Sequence, residues 1–319
     1  MHPVYVFLGW FKCLLTAIRL NFAKKESMMK KSFSLLLLGT VLCASASVSL
    51  SGTPTSVAED EEDPYFLLTA EADSAFSRGD YEEAGARLID AMSVRPNHPS
   101  NALLMSNLGM AYHSLGRDSL ALSTLDEALR RYPAMTTIRG NRALVLLGMG
   151  RDREAYDDFS RVLSVDSLNA DARFYHGMIA LYDGKADVAE ADFTVLKNCA
   201  PSGGDTAAAL AALYSLTGRD REAIPYFEKL VSSENSAAEY YAGLAGCHLA
   251  LGNLSEASTV IADGMKKYPD DAELFYYRAW LNRDRYRMDD AHADARRAVE
   301  LGASAVKVKG LFAKKSTGK

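Results

Sequence analysis

One alanine recurs along this chain with a fixed step. Ala84, Ala121, Ala155, Ala189, Ala223, Ala257 and Ala291 are separated by 37 residues once and then by 34 residues five times. A constant period of this size marks a chain that stacks copies of one supersecondary unit. A chain of 319 residues otherwise has room for two ordinary domains. A repeat array is instead one elongated body in which each unit packs against its neighbours.

Other positions keep the same step. With the alanine set at position 20, position 8 reads Ala72, Gly109, Ala143, Gly177, Ala211, Ala245 and Ala279, all small. Position 24 reads Leu88, Leu125, Phe159, Phe193, Phe227 and Ile261, and then Ala295. Small residues at 8 and 20 suit a close crossing of two antiparallel helices, and the large residue at 24 fills the space between units. Gly79, Gly116, Gly150, Gly184, Gly218 and Gly252 stand at position 15, where a left-handed residue closes the first helix. Pro96, Pro133, Pro201 and Pro269 stand at position 32, where a missing amide hydrogen stops the second.

The pattern resembles the tetratricopeptide repeat, a helix–turn–helix unit with a large residue at 7, a small one at 8, an aromatic at 11, alanine at 20, a large apolar residue at 24 and proline at 32. Leu108, Gly109, Tyr112, Ala121, Leu125 and Pro133 carry it most completely, and the match runs over residues 65–303. The resemblance implies an all-α fold, a right-handed superhelical solenoid of antiparallel helix pairs, with seven repeats over 64–303. Arg139 and Arg173 depart from it, standing at position 4 where the family favours tryptophan. Tyr286 replaces the glycine and Ala295 the large residue in the seventh repeat, as befits a terminal unit. Asp63-Pro64 reads as a helix start, a capping carboxylate before a first-turn proline. The three extra residues between repeats one and two fall in the loop 96–101. Pro225, inside the second helix of repeat five, predicts a kink or a distorted N-terminus.

Residues 1–46 differ in kind. Lys30 and Lys31, an apolar run from Phe33 to Leu42, and Ala44-Ser45-Ala46 together form the charge, core and small-x-small pattern of a secretory signal over 28–46. Translation from Met28 or Met29 explains the position of that signal. The alternative is a membrane anchor in 1–27, but Lys12 and Arg19 interrupt its apolar stretch. Leu42 before Cys43 fits poorly with lipidation of that cysteine. Cleavage after Ala46 leaves a polar, acidic linker (47–63), the repeats, and a basic tail (304–319) too short for another helix pair. Residues 1–46 hold six Lys/Arg and one Glu, so the remainder holds 30 basic and 40 acidic residues. That acidic balance disfavours nucleic acid, which calls for a basic face. The two remaining cysteines, Cys199 and Cys247, are a whole repeat apart, so two free, buried thiols are expected.

No motif for catalysis, metal binding or a cofactor is present, and His113, His176 and His248 sit on first helices of different repeats. The chain reads as a non-enzyme without cofactor. In proteins it resembles, positions 2, 5, 9, 12 and 13 of the first helix line a concave, partner-binding groove. Carried over, these imply a groove of Met110, Leu144, Leu147, Asp171, Phe174, Met178, Leu181, Tyr182, Tyr276 and Trp280. Its apolar centre is Phe174, Met178 and Leu181. Asp171, Asp205, Glu239 and Glu273 form a column of acids at position 2, suited to a basic peptide or simply to the helix dipole. The lysine and asparagine pair by which some members hold chaperone tails is absent. The expected protein is an exported scaffold in a bacterial periplasm or cell envelope that binds a peptide or protein. The alternative is a membrane-tethered component of an envelope-assembly or secretion complex, held by the N-terminal segment or the basic tail.

Overall fold

The structure is a computed structural model that describes residues 63–313. The expectations for the signal-like segment, the rest of the acidic linker and residues 314–319 lie outside the described residues. Within them, all regular structure is helical, in fifteen helices. Seven pairs follow in chain order: α1 (Pro64–Arg78) with α2 (Tyr81–Val94), α3 (Asn101–Ser114) with α4 (Asp118–Arg131), α5 (Thr136–Gly148) with α6 (Asp152–Val165), and α7 (Ala170–Tyr182) with α8 (Ala186–Cys199). Then come α9 (Gly204–Leu216) with α10 (Asp220–Val231), α11 (Ala238–Ala250) with α12 (Leu254–Lys267), and α13 (Ala272–Asp284) with α14 (Met288–Glu300). A short α15 (Ala305–Phe312) follows.

The chain divides between Ala172 and Arg173 into two compact units. In residues 63–172, each helix from α1 to α6 packs on the next, and the first helices α3 and α5 also pack on each other. In residues 173–313 the same scheme runs from α8 to α15, with α11 against α13. The all-α class and the antiparallel helix pairs stand as expected.

The periodic residues are placed as the pattern implies, with one addition: position 24 also fills the crossing inside its own hairpin. All seven marker alanines are fully buried. At position 8 the nearest neighbour is the large residue at 24: a methyl group added to Gly109 would lie 2.6 Å from Leu125, and one added to Gly177 2.4 Å from Phe193. All six position-15 glycines have φ between 71° and 80°, a region that costs other residues steric strain. Tyr286 adopts it too, at φ 58°, and leaves its ring almost wholly in solvent. Asp63 caps α1 by accepting from the Tyr65 amide at 2.8 Å, with Pro64 as the first helical residue.

One expectation needs correction. Cys247 is buried, but Cys199 is exposed because it ends α8 on its solvent side; both thiols are free. α10 runs on as one helix through Pro225, which lies on its exposed side near the N-terminus. The segment read as a basic tail holds one helix among the described residues, α15. Lys307 lies 34 residues after Glu273, so α15 stands where the first helix of an eighth repeat would stand.

Candidate partner-binding face

The face expected to bind a partner is built from first helices, and their composition decides what it presents. Met110 on α3 packs with Met105, Leu125, Leu129, Ile138 and Val145, so neighbouring helices α4 and α5 cover it. Leu147 is buried in the same unit, and Leu144 is half-buried. On α7, Asp171 is exposed and Tyr182 half-buried, whereas Phe174, Met178 and Leu181 are all buried. The Phe174 ring meets Tyr175 edge to face, 5.0 Å between centroids. An open apolar groove centred on Phe174, Met178 and Leu181 is therefore not what these residues form. A first helix is flanked by helices on several sides, so its apolar residues are used in packing rather than displayed.

The seventh pair shows what covers such a face. Tyr276 is buried because Lys307 of α15 lies over its ring, 4.2 Å from the centroid, and the same ammonium pairs with the Glu273 carboxylate. Lys307 itself is only 8% exposed. Arg283 donates to the Leu311 carbonyl at 2.7 Å, tying the other end of α15. Burial pushes the Tyr276 phenol well above its usual range, and the Glu273 carboxylate adds to the shift. Trp280 stays half-buried, stacked on Tyr277 at 6.2 Å and donating from Nε1 to Asp284 at 2.8 Å. One acid and two aromatic rings on α13, Tyr276 and more distantly Tyr277, thus hold a lysine carried on a helix, a charge-assisted and cation–π arrangement.

The acids at position 2 all lie in first turns, where they meet the positive end of the helix dipole. Glu273 does more, since it holds Lys307. The histidines are engaged locally: His113 with Asp118 at 2.6 Å, His176 with Asp192 at 2.5 Å, and His248 near Asn253. Among the described residues no group of three His, Cys, Asp or Glu side chains is placed to hold a metal ion. Burial raises the Cys247 thiol far above its usual range, and the neighbouring Asp220 adds to the shift, which disfavours the thiolate.

A set of buried acids escaped the sequence reading. Asp158, Asp192 and Asp294 each stand at position 23 and are nearly inaccessible. Arg142 grips Asp158 through Nε at 2.7 Å and Nη2 at 2.8 Å, with Arg139 close by. Arg173 and His176 share Asp192, and Arg278 and Asn282 share Asp294. This accounts for Arg139 and Arg173 at position 4: each neutralises an acid buried in its own hairpin. The recurring 16-residue step from position 7 to position 23 was the available signal.

A tetratricopeptide repeat family profile matches residues 67–134, and a second, with the same description, matches 217–281. No curated protein matches the chain. Among solved structures, a tetratricopeptide repeat protein from Parabacteroides merdae is 23% identical, with a TM-score of 0.58 over 78% of this chain and 97% of its own. PilW, a widely conserved type IV pilus biogenesis factor, is 24% identical, with a TM-score of 0.58 over 66% of this chain and 96% of its own. Pseudomonas aeruginosa pilF is 16% identical, with a TM-score of 0.61 over 69% of this chain and 99% of its own. At these identities the likeness is one of fold.

Proposed function

We propose that this tetratricopeptide repeat protein is a non-catalytic scaffold that holds a peptide or protein partner along its first helices, and that it works outside the cytoplasm, in the periplasm or cell envelope. Stacked helix pairs of this kind are a scaffold for protein interaction. The observation that carries the reading is the seat of Lys307, enclosed by the Glu273 carboxylate and the Tyr276 ring. Lys307 fills that seat and shows how a first helix receives a basic side chain; Asp171, at the equivalent position of α7, is the exposed carboxylate left to a partner. Leu144, Asp171, Tyr182 and Trp280 are the expected first-helix residues that keep access to solvent, and they are the contact points proposed here. Export rests on the basic, apolar and small-residue pattern of 28–46.

Photo-crosslinking groups at Leu144, Asp171, Tyr182 and Trp280 test the reading, with Val165 and Leu168, exposed loop-side positions, as controls. A discrete adduct from the first-helix positions and none from the controls is the expected result. Equal or no adducts from both sets contradict it. The second reading, a membrane-tethered component of an envelope-assembly complex, draws on residues 1–27 and on one fold relative being a pilus biogenesis factor. No helix among the described residues is long and apolar enough to cross a membrane. Cell fractionation with N-terminal sequencing separates the two: a soluble chain beginning near Ser47 removes the tether.

A further inference from the structure

Arg142 and Arg278 hold the same place in their repeats, position 7 of the first helix. Each reaches across its own hairpin to an acid 16 residues further on, Asp158 or Asp294. In both cases Nε and Nη2 are engaged there, and Nη1 is left to face the second helix of the preceding repeat. For Arg142 that helix supplies Asp126, which accepts from Nη1 at 2.6 Å. For Arg278 the corresponding residue is Ala262; Nη1 donates to the Met265 sulfur at 3.3 Å, and the guanidinium lies over the Phe275 ring, 4.8 Å from its centroid. A thioether is a weak acceptor for a guanidinium.

Ala262 and Arg278 share a pocket. An open pocket of about 600 Å³ lies between α12, α13 and α14, lined by Ala262, Met265, Lys266, Arg278 and Arg287 among others. Two acids also line it. Asp294 is already engaged by Arg278 and Asn282, which leaves Asp290 as the other negative group near three cations. We infer that this pocket takes a carboxylate, seated against Arg278 as Asp126 is seated against Arg142. An arginine fork and a carboxylate match in geometry and charge, and around it stand Lys266 and Arg287, the latter already donating from Nη2 to Asn282. The volume exceeds that of a carboxylate alone and admits the side chain or small acid that carries it. The site shares no residue with the Lys307 seat, so it stands or falls independently of the partner-binding reading.

The test is an NMR titration of the full-length chain, following the arginine Nε–Hε signals. Two probes are used: sodium succinate, and acetyl-glutamate amide, whose only charge is its side-chain carboxylate. The Arg278 signal is expected to move with at least one of them in a saturable way. Response to both assigns a side-chain carboxylate as a ligand, and response to succinate alone assigns a free dicarboxylate. Ala262→Asp supplies the carboxylate from within, as in the second repeat. It is expected to weaken the probe at least tenfold and to shift the Arg278 signal before any probe is added, with melting unchanged or higher. Asp126→Ala is expected to create a new response at Arg142. Three results overturn the inference: no shift at Arg278 with either probe up to about 50 mM, which covers millimolar affinity; an equal shift from sodium chloride at the same ionic strength; or a wild-type response in Ala262→Asp.

Discussion

Two hairpins of the same unit, α9–α10 and α13–α14, fill one crossing in opposite ways. In α9–α10, position 7 is Leu210 and position 24 is Phe227, both apolar and both buried. In α13–α14 the same places hold Arg278 and Ala295, and the buried acid Asp294 engages Arg278 and Asn282. The backbone pattern is the same. What the repeat demands is small residues at positions 8 and 20; the rest of the crossing accepts either apolar bulk or a satisfied polar cluster. The polar version carries a directional requirement, because every donor must find its acceptor, and a donor that does not is available to something else.

The contrast is broken most forcefully from the apolar side. Phe227→Ala empties a side chain that is 1% exposed and is expected to cost about 3–5 kcal/mol in denaturant unfolding. Asp294→Ala leaves Arg278 without its main acceptor and is expected to cost about 2–3 kcal/mol, held down because Arg278 keeps partial access to solvent. Replacing the polar pair together, Arg278→Leu with Asp294→Tyr, copies positions 7 and 23 of the α9–α10 hairpin. It is expected to recover most of that loss, since apolar replacements of a buried ion pair are often neutral or stabilising. A double variant as weak as Asp294→Ala alone would show that the two fillings are not interchangeable.

Asp220, at the start of α10, sharpens the comparison through pH. Burial raises its carboxyl above the usual 3.8, and one of its oxygens is buried without a protein partner. A raised carboxyl favours folding while it is protonated, and that contribution is lost as pH rises through its folded value. Asp220→Asn is therefore expected to melt higher than the wild type at pH 7, with the difference closing as pH falls below 3.8. Tyr286→Gly has the smallest expected effect. It relieves a left-handed conformation that the other six repeats give to glycine, for a gain of about 0.5–1 kcal/mol, partly offset by the freedom glycine adds to the unfolded chain.

The repeat was legible in the sequence because its markers are governed by sterics alone. A fully buried alanine, a left-handed glycine and a helix-ending proline keep their meaning in any partner context. The face was less legible. The family pattern says which positions of a first helix line a groove, but Met110, Leu147, Phe174, Met178, Leu181 and Tyr276 are buried, since packing and partner binding call for the same apolar residues. α15 is hard to read because it lacks the small-residue markers and carries two lysines, although Lys307 keeps step with Glu273. The buried acids were missed because charged residues read as surface residues until their partners 16 residues away are counted. Arg139 and Arg173, noticed only as departures from the family pattern, were the clue.

The claim on which the partner-binding reading rests is that the Glu273 and Tyr276 seat holds a lysine by direct attraction. A double-mutant cycle of Glu273→Gln and Lys307→Met, read by thermal and denaturant unfolding, measures that attraction with little change in shape. Both side chains are largely enclosed, at 14% and 3% exposure, so a coupling of about 1–3 kcal/mol is expected. A coupling indistinguishable from zero, with both single variants as stable as the wild type, would contradict the account.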